Sequence, residues 1–150
     1  MKNLRTRVFG SAILIATFGL AFATSATAAL GEKVTLDRSR MMVLNENFSI
    51  HETKSPGLSV WEYISNSGIV FAVTWKGNHH PDLSQYLGNY YKEYQAASQL
   101  SGKGRQGRLA HRVVDGPRVK VIKFGHMRSI QGKAYAQELL PEGVSPDEIR

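Results

Sequence analysis

Three kinds of hydrophobic pattern follow one another along this chain. Val8 to Ala23 is a continuous uncharged apolar run, VFGSAILIATFGLAFA. Residues 29–47 are weakly patterned, and Met41 to Leu44 is compatible with a short strand or one helical turn. From Phe48 onward a period of two takes over. Phe48 to Thr53 reads as a strand closed by Ser55-Pro56-Gly57. Leu58 to Ile64 and Ile69 to Trp75 are rich in aromatic and β-branched residues. Ser65-Asn66-Ser67-Gly68 between them supplies turn residues, which predicts a β-hairpin. In the second arm Ile69, Phe71, Val73 and Trp75 fall on one face, and Val70, Ala72 and Thr74 on the other. Neither face is strongly polar, as expected of a central strand covered on both sides.

The period then changes to that of a helix. Leu83, Tyr86, Leu87, Tyr90, Tyr94 and Ala97 form one stripe, with Ser84, Asn89, Lys92, Glu93 and Gln95 off it. Asp82 is a good N-cap, and Gln85 three residues later completes a capping-box pattern after Pro81. The expected helix runs to about Ser98 and lays its tyrosine stripe on the sheet. Gly88 inside it costs about 1 kcal/mol relative to alanine, and a close approach to a strand would account for it. Residues 99–108, QLSGKGRQGR, read as a loop. Leu109 to Val114 and Arg118 to Phe124 are expected strands around the turn Asp115-Gly116-Pro117. Met127 to Ile130 and Lys133 to Leu140, flanking Gln131-Gly132, read as a further hairpin. Pro141-Glu142-Gly143 is a turn, and Ser145-Pro146-Asp147-Glu148 starts a single helical turn. Strands, one helix, then strands: the expected class is α+β, a mainly antiparallel sheet with one amphipathic helix packed on one face.

Composition changes this picture mainly at the start of the chain. Lys2, Arg5 and Arg7 precede the apolar run, and Ala26-Thr27-Ala28 after it fits the small-x-small rule for signal peptidase. Sixteen apolar residues at about 1.5 Å each span roughly 24 Å, short of a hydrocarbon core of about 30 Å. The expectation is a cleaved signal peptide, residues 1–28, followed by a single domain, residues 29–150, beginning at Ala29. Arg5-Thr6-Arg7 is not a twin-arginine pair. Location is then periplasmic or secreted, with no transmembrane anchor after processing. The whole chain of 150 residues carries a formal charge of +7. Removing the three basic residues of the leader from 19 leaves 16 against 12 acids, or +4. There are no cysteines, which excludes disulfides, thiolate metal sites, a cysteine nucleophile and a lipid anchor on cysteine.

Several blocks resemble one bacterial family, the domain of unknown function DUF2844. They are Ala29-Leu30-Gly31, His51-Glu52, Trp61-Glu62-Tyr63-Ile64, and the stretch from Gly68 to Gly77. Pro81-Asp82-Leu83, Leu87-Gly88-Asn89-Tyr90, Gly125-His126-Met127-Arg128, Gly132-Lys133-Ala134-Tyr135 and Pro141-Glu142-Gly143-Val144 complete the series in order. Lys103 to Arg108 lie outside these blocks. The resemblance implies export and a single domain; the family has no established activity, cofactor or catalytic residue to carry over.

Four constellations are candidates for chemistry. His79 and His80, with His51 and His126, are metal-ligand types, but no H-x-x-x-H or H-E-x-x-H spacing joins them. His51, His126, Glu52, Glu62 and Asp82 could supply an acid or base for Ser49 or Ser129, yet no G-x-S-x-G or S-x-x-K motif occurs. Lys103, Arg105, Arg108, Arg112, Arg118, Lys120, Lys123 and Arg128 form a basic stretch opposed only by Asp115. Brought together, they would attract phosphate or carboxylate groups of an anionic envelope component. Nucleic acid is not the expected partner, because only Phe124 could stack within that stretch. Tyr86, Tyr90, Tyr91 and Tyr94, with Trp61 and Trp75, are expected to be core. The functional expectation is a non-catalytic binding or structural module of the cell envelope, without a cofactor, whose partner is an anionic envelope component or another exported protein. The alternative is a periplasmic metal-binding protein or hydrolase using the histidines.

Overall fold

The computed structural model describes residues 28–34, 46–100, 111–126 and 128–150, and the backbone of 41–44 and 101. The leader up to Thr27, with Ala26, lies outside the described residues, as do Lys103, Arg105 and Arg108. Among the described residues seven strands form one sheet in the order β1-β2-β3-β4-β7-β6-β5. They are β1 (Met41–Leu44), β2 (Phe48–Ser55), β3 (Leu58–Ser65), β4 (Val70–Gly77), β5 (His111–Asp115), β6 (Val119–His126) and β7 (Ser129–Ala136). Every neighbouring pair is antiparallel. The chain leaves the sheet after β4, forms its helical segment, re-enters at the far edge as β5, and works back until β7 pairs with β4. The class is therefore α+β with a mainly antiparallel sheet. No helix among the described residues is long and apolar enough to cross a membrane.

The helical segment falls where its stripe predicts but is divided. α1 (Leu83–Leu87) and α2 (Tyr91–Ser101) flank a 3₁₀ turn at Gly88–Tyr90. Asp82 caps α1 by accepting from the Ser84 backbone N–H at 3.0 Å and from its hydroxyl at 2.7 Å. Ser84, not Gln85, is thus the partner of the cap. Gly88 has φ +49, and a Cβ there would lie 2.8 Å from the Ala29 Cβ. The close approach is to the segment entering the fold, not to a strand.

Apolar clusters cover both faces of the sheet. On the helix side Val60, Ile64, Val73, Trp75 and Val121 pack under Leu83, Tyr86, Leu87 and Tyr90. On the other side Phe48, Tyr63, Phe71 and Tyr135 are covered by Val144 and Ile149 of the C-terminal segment. β4, fourth of the seven strands, is buried from Val70 to Trp75, as a central strand should be. Its alternation is broken by a shift in register between Tyr63 and Ile64 of β3. Phe71 therefore joins Ala72 in the second cluster, and Val70 joins Val73 and Trp75 in the first. The expected hairpin at Gln131-Gly132 is not formed. β7 runs straight through these residues, and the β6–β7 connection lies at residues 127–128, where Arg128 has φ +66. Gly132 is in mid-strand because the Trp75 indole occupies its side-chain space.

Candidate binding site

Cross-strand register builds the site on the sheet face away from the helices. Trp61 pairs with Thr74, Thr74 with Lys133, and Lys133 with Ile122, giving one row across β3, β4, β7 and β6. The adjacent row runs Lys76, Gln131, Phe124 and His111. Residues two apart in a strand share a face, so the two rows lie side by side. Asp147, Ile149 and Arg150 of the C-terminal segment complete a depression of about 390 Å³. That volume lies in the ordinary range for small-molecule sites, roughly 300–1,000 Å³. Phe124 is 39% exposed, one of few large apolar side chains left open among the described residues.

The C-terminal segment is fixed against this site by polar anchors. Lys133 Nζ donates to the carbonyls of Pro146 at 2.8 Å and Ile149 at 3.2 Å. The Thr74 hydroxyl donates to the Arg150 carbonyl at 3.2 Å, and Tyr63 donates its hydroxyl to the same oxygen. Lys76, Lys133 and Arg150 face one carboxylate, Asp147, in the lining. A second, more open depression is lined by Asn47, Ser65, Ser67, Glu138 and Glu142 among others; its lining holds acids and no basic residue, and Glu138 is paired from outside by Arg118 at 3.6 Å. An anion with an apolar body therefore fits the first depression and not the second.

The residues singled out from the sequence are distributed differently. Among the described residues no three His, Asp or Glu side chains converge as a metal-holding group. His51 Nδ1 and Glu62 Oε2 share a hydrogen bond of 3.0 Å on the helix side of the sheet. His80 Nδ1 accepts from Trp75 Nε1 at 3.0 Å, and His79 bonds to Asn78. Burial, then the charges of Lys123 and His79, lower the His80 pKa and favour a neutral ring. His126 is exposed and lies across the β6–β7 hairpin from Ser129. Ser49 is buried, and neither serine bonds to a histidine. Glu52 pairs with Lys54 at 3.2 Å.

The described part of the basic stretch is divided between the two sides and largely engaged. Arg112 donates to the Ser98 carbonyl and hydroxyl, and Lys123 to the Tyr94 hydroxyl, both toward α2. Arg118 pairs with Glu93 at 3.0 Å and lies over the Tyr90 ring. Lys120 pairs with Asp115 at 2.8 Å. Tyr86 and Tyr90 are core, and Tyr91 and Tyr94 pack against it. Tyr90 donates to Glu138 at 2.7 Å, and burial with that bond pushes its phenol up to about 12.

Of the lining residues, Trp61 and Trp75 are aromatics that the sequence marks, both as expected core. Lys76, Gln131, Lys133 and Arg150 carry no such mark. The legible signal was weak: Ile122 and Phe124 alternate with Lys123 on a strand whose other face already carries Val119 and Val121.

No match was found among curated proteins or solved structures. One family model does match, described as a protein of unknown function, DUF2844, over residues 19–149. That span takes in every strand and helix given above, and the chain belongs to the DUF2844 family.

Proposed function

We propose that the chain acts outside the cytoplasm, once residues 1–28 are removed, as a non-catalytic module that binds an anionic amphiphile of the cell envelope. The observation that carries this reading is the depression lined by Trp61, Ile122 and Phe124 together with the cations Lys76 and Arg150, and with Lys133, whose ammonium also holds the C-terminal segment. The aromatic and aliphatic lining supplies favourable apolar burial, and the cations select a carboxylate or phosphate head. In the sequence Lys103, Arg105 and Arg108 shortly precede His111, which lines the depression. Export rests on the charged start, the apolar run and the small residues before Ala29.

Both of the chain's 2 tryptophans line the depression and provide the readout, chiefly Trp61, since Trp75 is only 1% exposed. Chain beginning at Ala29 is titrated with dodecanoate, dodecyl phosphate and uncharged dodecyl maltoside. The two anions should give a saturable change in emission that weakens with added salt, and the maltoside a much weaker one. Lys76→Glu and Phe124→Ser should each weaken the anions about tenfold, and Trp61→Phe should remove most of the signal. Equal binding of all three probes, or no saturation, overturns the binding reading. Protein recovered from cells should start at Ala29 in the periplasmic or secreted fraction. Cytosolic protein that retains Met1 overturns the export reading alone.

A further inference from the structure

Glu62 sits in mid-β3 between Val60 and Ile64, facing the helix-side core, and its side chain is 1% exposed. His51 occupies Oε2, while Oε1 has no hydrogen-bond partner, the one such buried side-chain atom among the described residues. A buried carboxylate oxygen without a donor is a costly arrangement. Burial raises the Glu62 pKa, opposed by His51 and by the backbone N–H of Ala28. The negative charge of Glu62 is also felt at Tyr86, whose phenol is raised chiefly by its own burial.

The segment that enters the fold lies against these residues. The Leu30 N–H donates to the Tyr86 carbonyl at 2.9 Å, and the Gly31 N–H to the Val70 carbonyl at 2.9 Å. Ala29 and Leu30 are 5% and 1% exposed. The Ala29 N–H donates to Glu32 Oε2 at 3.1 Å. The nitrogen that becomes the chain start after cleavage at Ala28 is thus buried, next in sequence to the amide that favours ionised Glu62, and already bonded to a second carboxylate.

We propose that the α-ammonium group created at Ala29 is captured by Glu62, with Glu32 holding it from the outer side, so that removal of the leader locks the N-terminal segment onto the sheet. This rests on the export reading above. Hydrolysis breaks the C–N bond between Ala28 and Ala29. Water gives its hydroxyl to the Ala28 carbonyl carbon and a hydrogen to the Ala29 nitrogen, and the amine takes a further proton from solvent. One amide donor is replaced by three N–H donors and a positive charge. One hydrogen keeps the bond to Glu32, and another supplies the donor that Glu62 Oε1 lacks. Loss of Ala28 removes the backbone N–H that favours ionised Glu62, and the ammonium takes over that role.

Residues 29–150 contain every described strand and helix and every buried core residue, so the test uses that chain, released from a fusion to begin at Ala29. The free amine is compared at pH 7 with its Nα-acetylated form, which has no charge at that nitrogen. The free amine should melt roughly 4 °C above it. Glu62→Gln should abolish that difference, whereas Glu32→Gln should leave most of it. Acetylation without effect, or an equal effect in wild type and Glu62→Gln, overturns the proposal. If Glu62→Gln does not fold, titration of the Ala29 amine by NMR decides, with Glu32, Glu62, His51 and Tyr86 as its titratable surroundings. A value clearly above the ordinary α-amine range, about 7.7–8.0, supports capture, and an ordinary value overturns it. Because the start is set by the fusion, these results stand apart from where the cell makes its cut.

Discussion

Gly132 stands in mid-strand because the Trp75 ring fills the space a side chain would need. A Cβ there would lie 2.2 Å from the Trp75 Cζ2 and 2.8 Å from the Ile122 carbonyl oxygen. Overpacking of a rigid site costs about 1–3 kcal/mol, and here backbone and a buried ring are both in the way. Gly132→Ala should therefore destabilise by about 3 kcal/mol, read from the urea midpoint at unchanged slope. Asp82 makes a different kind of prediction. Its hydrogen bonds from Ser84 lower its pKa below the usual 3.8. A depressed carboxylate contributes stability above its unfolded pKa and loses it as pH falls through the native value. Asp82→Ala should lower the melting temperature at pH 7, and the difference from wild type should vanish in acid below that depressed pKa.

At the level of elements, the break in the helical segment is where the entering chain is seated. Gly88 adopts a backbone conformation that costs other residues about 1–3 kcal/mol, and Ala29 leaves no room for a methyl group. Gly88→Ala should cost at least that much and should unseat the N-terminal segment before the sheet. Hydrogen exchange checks this directly: the Leu30 and Gly31 amides, bonded to Tyr86 and Val70, should lose protection while β4 keeps its own. Equal loss everywhere would mean that the segment and sheet open as one unit. Glu93 ties a second junction, accepting from the Arg118 and Val119 backbone N–H groups and the Arg118 side chain, so α2 holds the turn entering β6.

The whole molecule is a sheet covered on both faces, but by unequal means. Helices and the entering segment cover one side, while the other depends on the irregular chain around Val144 and Ile149. Ile149 is 1% exposed and packs in the cluster of Tyr63 and Phe71. Ile149→Ala should cost about 3 kcal/mol, measured by denaturant unfolding, and should also weaken dodecanoate binding, since Ile149 walls the depression. The same segment thus completes a core and shapes a site.

Local chemistry was enough to read much of this fold. The turns at Pro56-Gly57 and Ser65–Gly68, the strands they join, the Asp82 cap and the tyrosine stripe each depend on residues within a few positions of one another. The hairpin expected at Gln131-Gly132 failed because the glycine answers to Trp75, a residue 57 positions earlier in the numbering. Phe71 changed faces because a shift in pairing with β3 overrode strict alternation. The depression escaped notice for the same reason: its two rows take one residue from each of several strands, and no short window holds them. By itself the sequence determined the class, the periods and the excess of positive charge. Only the tertiary structure decided which side chains meet, because strand order and register bring together groups that the chain keeps far apart.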